Sequence, residues 1–234
     1  MTPPIHFASF GTLPEYLRAM KRIKEQAEAS GYFATVKLYI PQNTPGLDAH
    51  AAFIQANRRG YGYWIWKTLV LLDRMRTVPE GDIVVYADAG CNINSGPAAA
   101  ALFHEWIAAV LAHPRQRIGF HTGNVETMWC KGDLLAYFGG PPSDPGQLWA
   151  GAQIMVNTAT NRAFVAEWLD LITRDGYHFV TDAPSRLPNE PEFREHRHDQ
   201  SVFSLLAKQL GYCKIPQPGI TTQYPIAVTR QRYS

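Results

Sequence analysis

The chain has 234 residues, 46% of them hydrophobic and 18% charged, with a formal net charge of +2. That length suits one domain, which buries roughly 70–75% of its unfolded surface without staples. No Lys/Arg block stands out, so a nucleic-acid groove is not expected, although a few basic residues suffice to meet a phosphorylated small molecule.

In chain order, the opening MTPPIHFASFGT has no basic n-region and no long apolar core, so it is not expected to be a signal peptide. Ile5 to Phe10 reads as a first strand closed by Gly11-Thr12. Leu13-Pro14 then opens a helix that runs to about Ser30 and stops at Gly31, with Pro14 in the first turn. Val36 to Ile40 is a second strand, Gln42 to Asp48 a loop, and Ala51 to Asn57 a short helical stretch followed by the turn Arg58-Arg59-Gly60. Trp64 to Met75 has helical spacing and stops at Pro79-Glu80-Gly81. Ile83 to Tyr86 is a third strand, Pro97 to His113 an Ala-rich helix, and Arg117 to Phe120 a fourth strand. Lys131 to Phe138 is a short helix and Gly139 to Gly146 a loop. Leu148 to Val156 is a strand pattern interrupted by Ala-Gly-Ala. Asn161 to Thr173 is a helix, Thr181 to Glu195 a long polar loop, and Asp199 to Leu210 a last helix ended by Gly211. From Pro216 on, the tail has strand or coil character. The alternation β-α-β-α-β-α-β implies an α/β fold with a mostly parallel sheet and helices on both faces. No window of eighteen apolar residues predicts a membrane span. The three cysteines, Cys91, Cys130 and Cys213, form no CxxC pair, which points to a reducing compartment rather than to zinc or disulfides.

The most informative stretch is Gly81 to Asn94. The apolar run Ile83–Tyr86 meets a carboxylate, Asp88, beside Ala89 and Gly90. A central parallel strand that ends in Asp-Ala-Gly puts one charge at the sheet rim where α/β proteins bind ligands. The same Asp also suits a plain turn. Lys67 lies just after the aromatic run Tyr61–Trp66, where a lysine serving only solvent is poorly placed. Arg58 and Arg59 read either as further cations or as a solvated turn. Asp199 opens the last helix, either as an N-cap or as an acid kept ionised by the helix dipole and able to accept a proton. His196 and His198, two residues apart, lack the extra ligands of a zinc site. Gly151 reads as a bulge or a close ligand approach. Asp182, His121, Asn124 and Glu126 are lesser candidates, Asn92 and Asn94 read as turn residues, and Cys91 reads as a small filler.

Four segments in order, Trp66-Lys67-Thr68, Tyr86-Ala87-Asp88-Ala89-Gly90, Trp149-Ala150-Gly151-Ala152-Gln153 and His196-Arg197-His198-Asp199-Gln200, resemble the GT-A nucleotide-sugar glycosyltransferases. The bacterial polysaccharide enzymes with features of families 8 and 32 are the nearest in pattern. The resemblance spans about Gly60 to Leu206. It implies a GT-A, Rossmann-like three-layer sandwich in a single domain. Residues 1–95 would form the nucleotide half, with the base near Phe10-Gly11, and 96–234 the donor-sugar and acceptor half. It also implies hexosyl transfer from a nucleoside diphosphate sugar, such as a UDP-sugar, to a hydroxyl of a glycan or glycolipid in polysaccharide biosynthesis. Lys67, Asp88, Ala89 and Gly90 would hold the donor nucleotide. Trp149, Gly151, Gln153, His198 and Gln200 would face the sugar. Asp199 would be the general base of an inverting enzyme or would position the donor of a retaining one.

The resemblance further implies a divalent cation, Mn²⁺ or Mg²⁺, at Asp88 with His198 as a second contact. Gly90 departs from the pattern, since it stands where the second acid of Asp-x-Asp usually coordinates the ion. One carboxylate plus substrate phosphates and water can still hold Mg²⁺. The expected location is cytoplasmic, with peripheral contact at the inner face of the membrane where the acceptor is a lipid. Two rivals stay open: a metal-dependent phosphate-ester hydrolase using Asp88 with His196 or His198, and a non-catalytic nucleotide-sugar binder.

Overall fold

A computed structural model describes residues 2–229; Met1 and residues 230–234, and with them the end of the expected tail, lie outside the described residues. The first strand, β1 (Ile5–Phe10), is buried at all six positions, as expected of an apolar run covered on both faces. A turn at residues 12–16, closed by Tyr16 N–H to Thr12 O at 2.9 Å, precedes α1 (Leu17–Ala29), so the helix starts three residues after Pro14 rather than at Leu13-Pro14. Next come β2 (Thr35–Tyr39), α2 (Ala51–Ala56), the short turn α3 (Gly60–Tyr63), α4 (Trp66–Thr77) and β3 (Ile83–Ala87), another fully buried strand. After β4 (Asn92–Ile93) and α5 (Pro97–Ala112), the expected fourth strand extends to β5 (Ile118–Val125). The chain continues with α6 (Glu126–Trp129), α7 (Gly132–Tyr137), β6 (Gly146–Trp149) and β7 (Ala152–Val156). It closes with α8 (Ala159–Tyr177), α9 (Asp199–Leu210), β8 (Cys213–Pro216) and β9 (Ile226–Ala227).

The central sheet has the order β2-β1-β3-β7. β1 pairs in parallel with β2 and β3, and β7 adds antiparallel to β3. The expected α/β fold with a mainly parallel central sheet is what the chain forms. Alternate residues serve opposite layers. Ala8, Phe10, Val84 and Tyr86 pack with Leu69 and Val70 of α4, Trp168 of α8 and Phe203 of α9. Ile5, Phe7, Ile83, Val85 and Ala87 pack with Ile23 of α1 and Phe103 and Ile107 of α5. That period-two split makes three layers.

Two expectations about strands need correction. The single segment Leu148–Val156 is two strands in two sheets, because the chain turns at Ala150-Gly151, whose glycine carbonyl accepts from the Asp88 N–H at 2.8 Å. The strand at Arg117–Phe120 does not join the central sheet. The antiparallel β7 already takes that edge of β3, so β5 pairs instead with β6 and β8 in a second sheet, tied to the first by an Arg117–Met155 bridge. In α8 the helix starts behind a Thr158 cap, whose side chain accepts from Asn161 N–H, and kinks at Arg174–Gly176. Among the described residues no helix is long and apolar enough to cross a membrane.

Candidate active site

From β1 the chain crosses to β2 on one side and later to β3 on the other, so the strand order reverses between β1 and β3. The carboxyl ends of such strands frame the ligand crevice of open α/β sheets. Here those ends are Phe10-Gly11 and Ala87-Asp88. The Asp88–Cys91 loop is pinned in place: Cys91 N–H donates to Asp88 O at 2.8 Å and Arg22 to Ala89 O at 3.0 Å. Ala89 packs on Ala19 and Met20 of α1, and the Thr229 hydroxyl donates to Gly90 O at 2.9 Å.

Three charged side chains meet at that rim. Lys67 Nζ, on α4, lies 2.7 Å from Asp199 Oδ2 at the start of α9 and 3.7 Å from Asp88 Oδ1. Lys67 and Asp199 have only 3% and 6% of their side chains exposed, whereas Asp88 has 37%. Tyr86, two residues before Asp88, donates its hydroxyl to Asp88 Oδ1 at 2.6 Å. Lys67 Nζ also sits 5.8 Å from the ring centroids of Trp66 and Tyr86, within cation–π range. Burial works against the Lys67 charge, but the Asp199 and Asp88 carboxylates outweigh it and hold the ammonium above its ordinary pKa. Burial pushes the Asp199 carboxyl up to about 6, a rise that the Lys67 contact only partly offsets. At neutral pH the cluster therefore holds two carboxylates and one ammonium, a net charge of −1. Its one outward face is Asp88.

Before Lys67 the backbone does something that the sequence reading did not anticipate. Gly60, Tyr61, Gly62, Tyr63 and Trp64 all have φ between 51° and 81°, a left-handed turn where a right-handed helix start at Trp64 was expected. For non-glycine residues this conformation costs roughly 1–2 kcal/mol each. It persists because its surroundings over-determine it. Tyr63 N–H donates to Arg59 O and Trp64 N–H to Gly60 O, and the Trp66 indole N–H donates to Gly60 O at 3.0 Å. A Cβ on Gly60 would stand 2.5 Å from the Trp64 ring. The turn delivers Trp66 onto Phe10, stacked at 4.0 Å and 15°, and so sets where Lys67 starts down α4. The alternation Gly-Tyr-Gly-Tyr was the signal in the sequence, since glycine tolerates positive φ. Tyr86 was also missed, although it shares a strand face with Asp88 at i, i+2.

The remaining expected residues are placed as follows. Phe10 is buried under Trp66, and Gly11 packs so closely on α1 that a Cβ would come 2.6 Å from the Met20 sulfur. Trp149 lies over Gly151, where a Cβ would be 2.4 Å from its ring. Gln153 is fully buried with Oε1 unpartnered, beside Tyr86 across the β3–β7 pairing. Gln200 donates to Gln147 Oε1 at 2.7 Å and accepts from Ala150 N–H at 3.3 Å. His198 pairs with Asp182 rather than with Asp88, and His196 bonds to Phe179 O. Arg59 bridges Asp182 and Glu195. His121 belongs to another group, bonded to Asp144 at 2.9 Å beside Tyr212 and Lys214. Asn124 is exposed, and Glu126 is fully buried in a network of its own. Asn94 donates to Tyr224 O at 2.8 Å. Burial raises the Cys91 thiol pKa, which leaves it without nucleophilic character at neutral pH.

Among the described residues no three His, Cys, Asp or Glu side chains come together as metal ligands. A lone outward carboxylate over a cluster of net charge −1 does fit a hydrated divalent cation whose other ligands are phosphate oxygens and water.

No family model matches the chain, and no curated protein matches it. Among solved structures, mouse xyloside xylosyltransferase 1 in its apo form aligns over 92% of this chain and 85% of its own, at 14% identity and a TM-score of 0.45. A glycosyltransferase involved in the glycosylation of the major capsid of PBCV-1 aligns over 83% of this chain and 81% of its own, at 14% identity and a TM-score of 0.41.

Proposed function

We propose that this chain is a GT-A-type glycosyltransferase that moves a sugar from a nucleoside diphosphate sugar to a hydroxyl of a glycan or lipid-linked acceptor. The observation that carries this reading is the Lys67–Asp88–Asp199 cluster at the rim where the strand order reverses. Donor cleavage leaves negative charge on a diphosphate, and fixed positive charge must meet it. Lys67, buried behind Asp88, lowers the burden of the two acids from −2 to −1, so that a cation at Asp88 has less negative charge of the protein to offset before it meets the diphosphate. Tyr86 orients Asp88 through one oxygen and leaves the carboxylate facing the crevice, toward ribose or cation. A Mn²⁺ or Mg²⁺ ion held by Asp88 would offset diphosphate charge when bound. Gln200 is held by Gln147 and by the backbone of Ala150, on the side where Gly151 and Trp149 would meet the donor sugar.

Asp199 takes a narrower role than its sequence suggests. With 6% of its side chain exposed and Lys67 against it, it has no open approach for an acceptor hydroxyl in this state. Its immediate work is to fix the Lys67 ammonium. Acting as base requires the pair to part, which also removes the Lys67 contact that holds the Asp199 pKa down to about 6. The second reading is a nucleotide-sugar binder without turnover, favoured by that burial and by Gly90 in place of an acid. The hydrolase rival needs a chain-built metal centre, and Asp88 has neither His196 nor His198 as a partner among the ion pairs.

The test is a thermal-shift screen over nucleoside diphosphates with and without Mn²⁺, followed by an assay of donor hydrolysis. A ligand at 100 times its Kd adds about 2.7 kcal/mol of stability, a shift readily seen. Binding with slow release of nucleoside diphosphate, abolished in Asp88→Ala, is the expected result. Binding without release at any acceptor selects the binder, and no shift with any nucleotide ends both readings.

A further inference from the structure

The two chain segments that build the ion cluster also build a second polar group beside it. His198, one residue before Asp199, is 2% exposed with φ at +53°, and its ring packs against Tyr63 and Trp64 of the left-handed turn. His198 Nδ1 lies 2.9 Å from the Val180 carbonyl, which can only accept, so the proton sits on Nδ1. Burial lowers the His198 pKa, which keeps the ring neutral. Its Nε2 is then a bare acceptor, buried and without a hydrogen-bond partner. The group it faces is also an acceptor: Asp182 Oδ1, at 3.7 Å. Asp182 is aligned by Arg59 Nη1, 3.1 Å from both of its oxygens, and by the Tyr63 hydroxyl at 2.9 Å. Arg59 also holds Glu195, so one guanidinium joins both ends of the long loop 181–195.

Two acceptors that face each other cannot satisfy one another: His198 Nε2 lacks a donor, and Asp182 Oδ1 has only Arg59, so once that bridge opens both need donors from outside. A single hydroxyl brings one proton, whereas two hydroxyls on neighbouring carbons bring one for each. We propose that Asp182 Oδ1 and His198 Nε2 form the acceptor subsite, taking a vicinal diol of a sugar, with the Arg59 bridge as the latch that opens to admit it. The proposal rests on the glycosyltransferase reading for the word acceptor, and it deepens that reading by naming a polyhydroxylated sugar rather than a simple alcohol. The latch side chains Arg59, Asp182 and Glu195 are all close to half exposed, so nothing packed has to unfold for them to part. Asp182 is the better test position, because His198 is locked in the core.

The full chain, labelled with ¹⁵N at histidine, is titrated with methyl glucoside, methyl galactoside and methyl mannoside (all pyranosides). The titrations are run with and without the nucleoside diphosphate that gives the largest thermal shift. At least one glycoside is expected to move the His198 Nε2 resonance, and its 2-, 3- or 4-deoxy analogue to bind about tenfold more weakly or worse. Asp182→Ala is expected to weaken that glycoside by a similar factor while nucleotide affinity stays as it was. Three results overturn the subsite: no glycoside moves the resonance although the nucleotide binds, Asp182→Ala binds the glycoside as tightly as the native chain, or all deoxy analogues bind equally well. Glycoside binding with no nucleotide binding would uphold the subsite and remove the transferase reading, so the two fail separately.

Discussion

Two lysines in this molecule are sealed against carboxylates, and they are not alike. Lys208 meets Glu126, whose two oxygens also take the Ser204 hydroxyl and the Gln147 amide, and Glu126 is fully buried. One acid, one base and spare donors close that account within the protein. Lys67 meets two acids, one of which looks outward with a surplus negative charge. A closed ion pair needs nothing further, whereas an unbalanced one at a sheet rim leaves charge for a ligand to meet, as the proposed function requires. On the proposed function that difference, rather than burial, separates the two centres, since the two lysine side chains are 3% and 7% exposed.

The contrast can be broken at four places. Glu126→Ala leaves the Lys208 ammonium buried and unpaired, and is expected to cost about 3–5 kcal/mol in stability, read as a drop in denaturant midpoint. Lys67→Met is expected to lower nucleoside diphosphate release about 10²–10³-fold, read by a coupled assay under saturating donor; loss of stability without loss of turnover would make the two centres equivalent after all. Asp199→Asn sharpens the pH behaviour. The unfolded chain releases this proton near its ordinary value of 3.8, while the folded protein holds it up to about 6. The stabilisation from protonated Asp199 is therefore complete below about pH 3.8 and lost as pH rises through about 6. The native protein minus Asp199→Asn should show that loss between pH 4 and 6, on the order of 3 kcal/mol at most, in denaturation measured across the range. Asp88→Ala is the smallest perturbation of the fold, about 1–3 kcal/mol by the same measurement, because the buried Tyr86 hydroxyl loses its acceptor.

Much of this was legible in the sequence. Ile5–Phe10 and Ile83–Tyr86 read as buried strands because their apolar runs are unbroken, and the Asp after the second was placed correctly at the rim. Asp199 was recognised as the start of the last helix. What was not legible depended on partners far along the chain. Leu148–Val156 looks like one strand locally, and only the competition between β3 and β5 for edges splits it. The left-handed stretch at Gly60–Trp64 was hidden because three aromatic residues in that conformation run against local preference, and tertiary packing supplies the compensation. Asp199 looked like an accessible acid because a helix N-terminus is usually exposed; Lys67, 132 positions away, is what covers it.

Amine-acylating reagents react only with a nitrogen that is both unprotonated and reachable. Lys21 and Lys24 on α1 are open to such reagents, whereas Lys67 is shielded by its two carboxylates and held in its ammonium form. The pace at which acyl groups arrive at Lys67, compared with α1 in the same sample, would thus clock how often the cleft breathes apart. A bound donor that stills that motion would write itself into the mass spectrum as a slower label at one position.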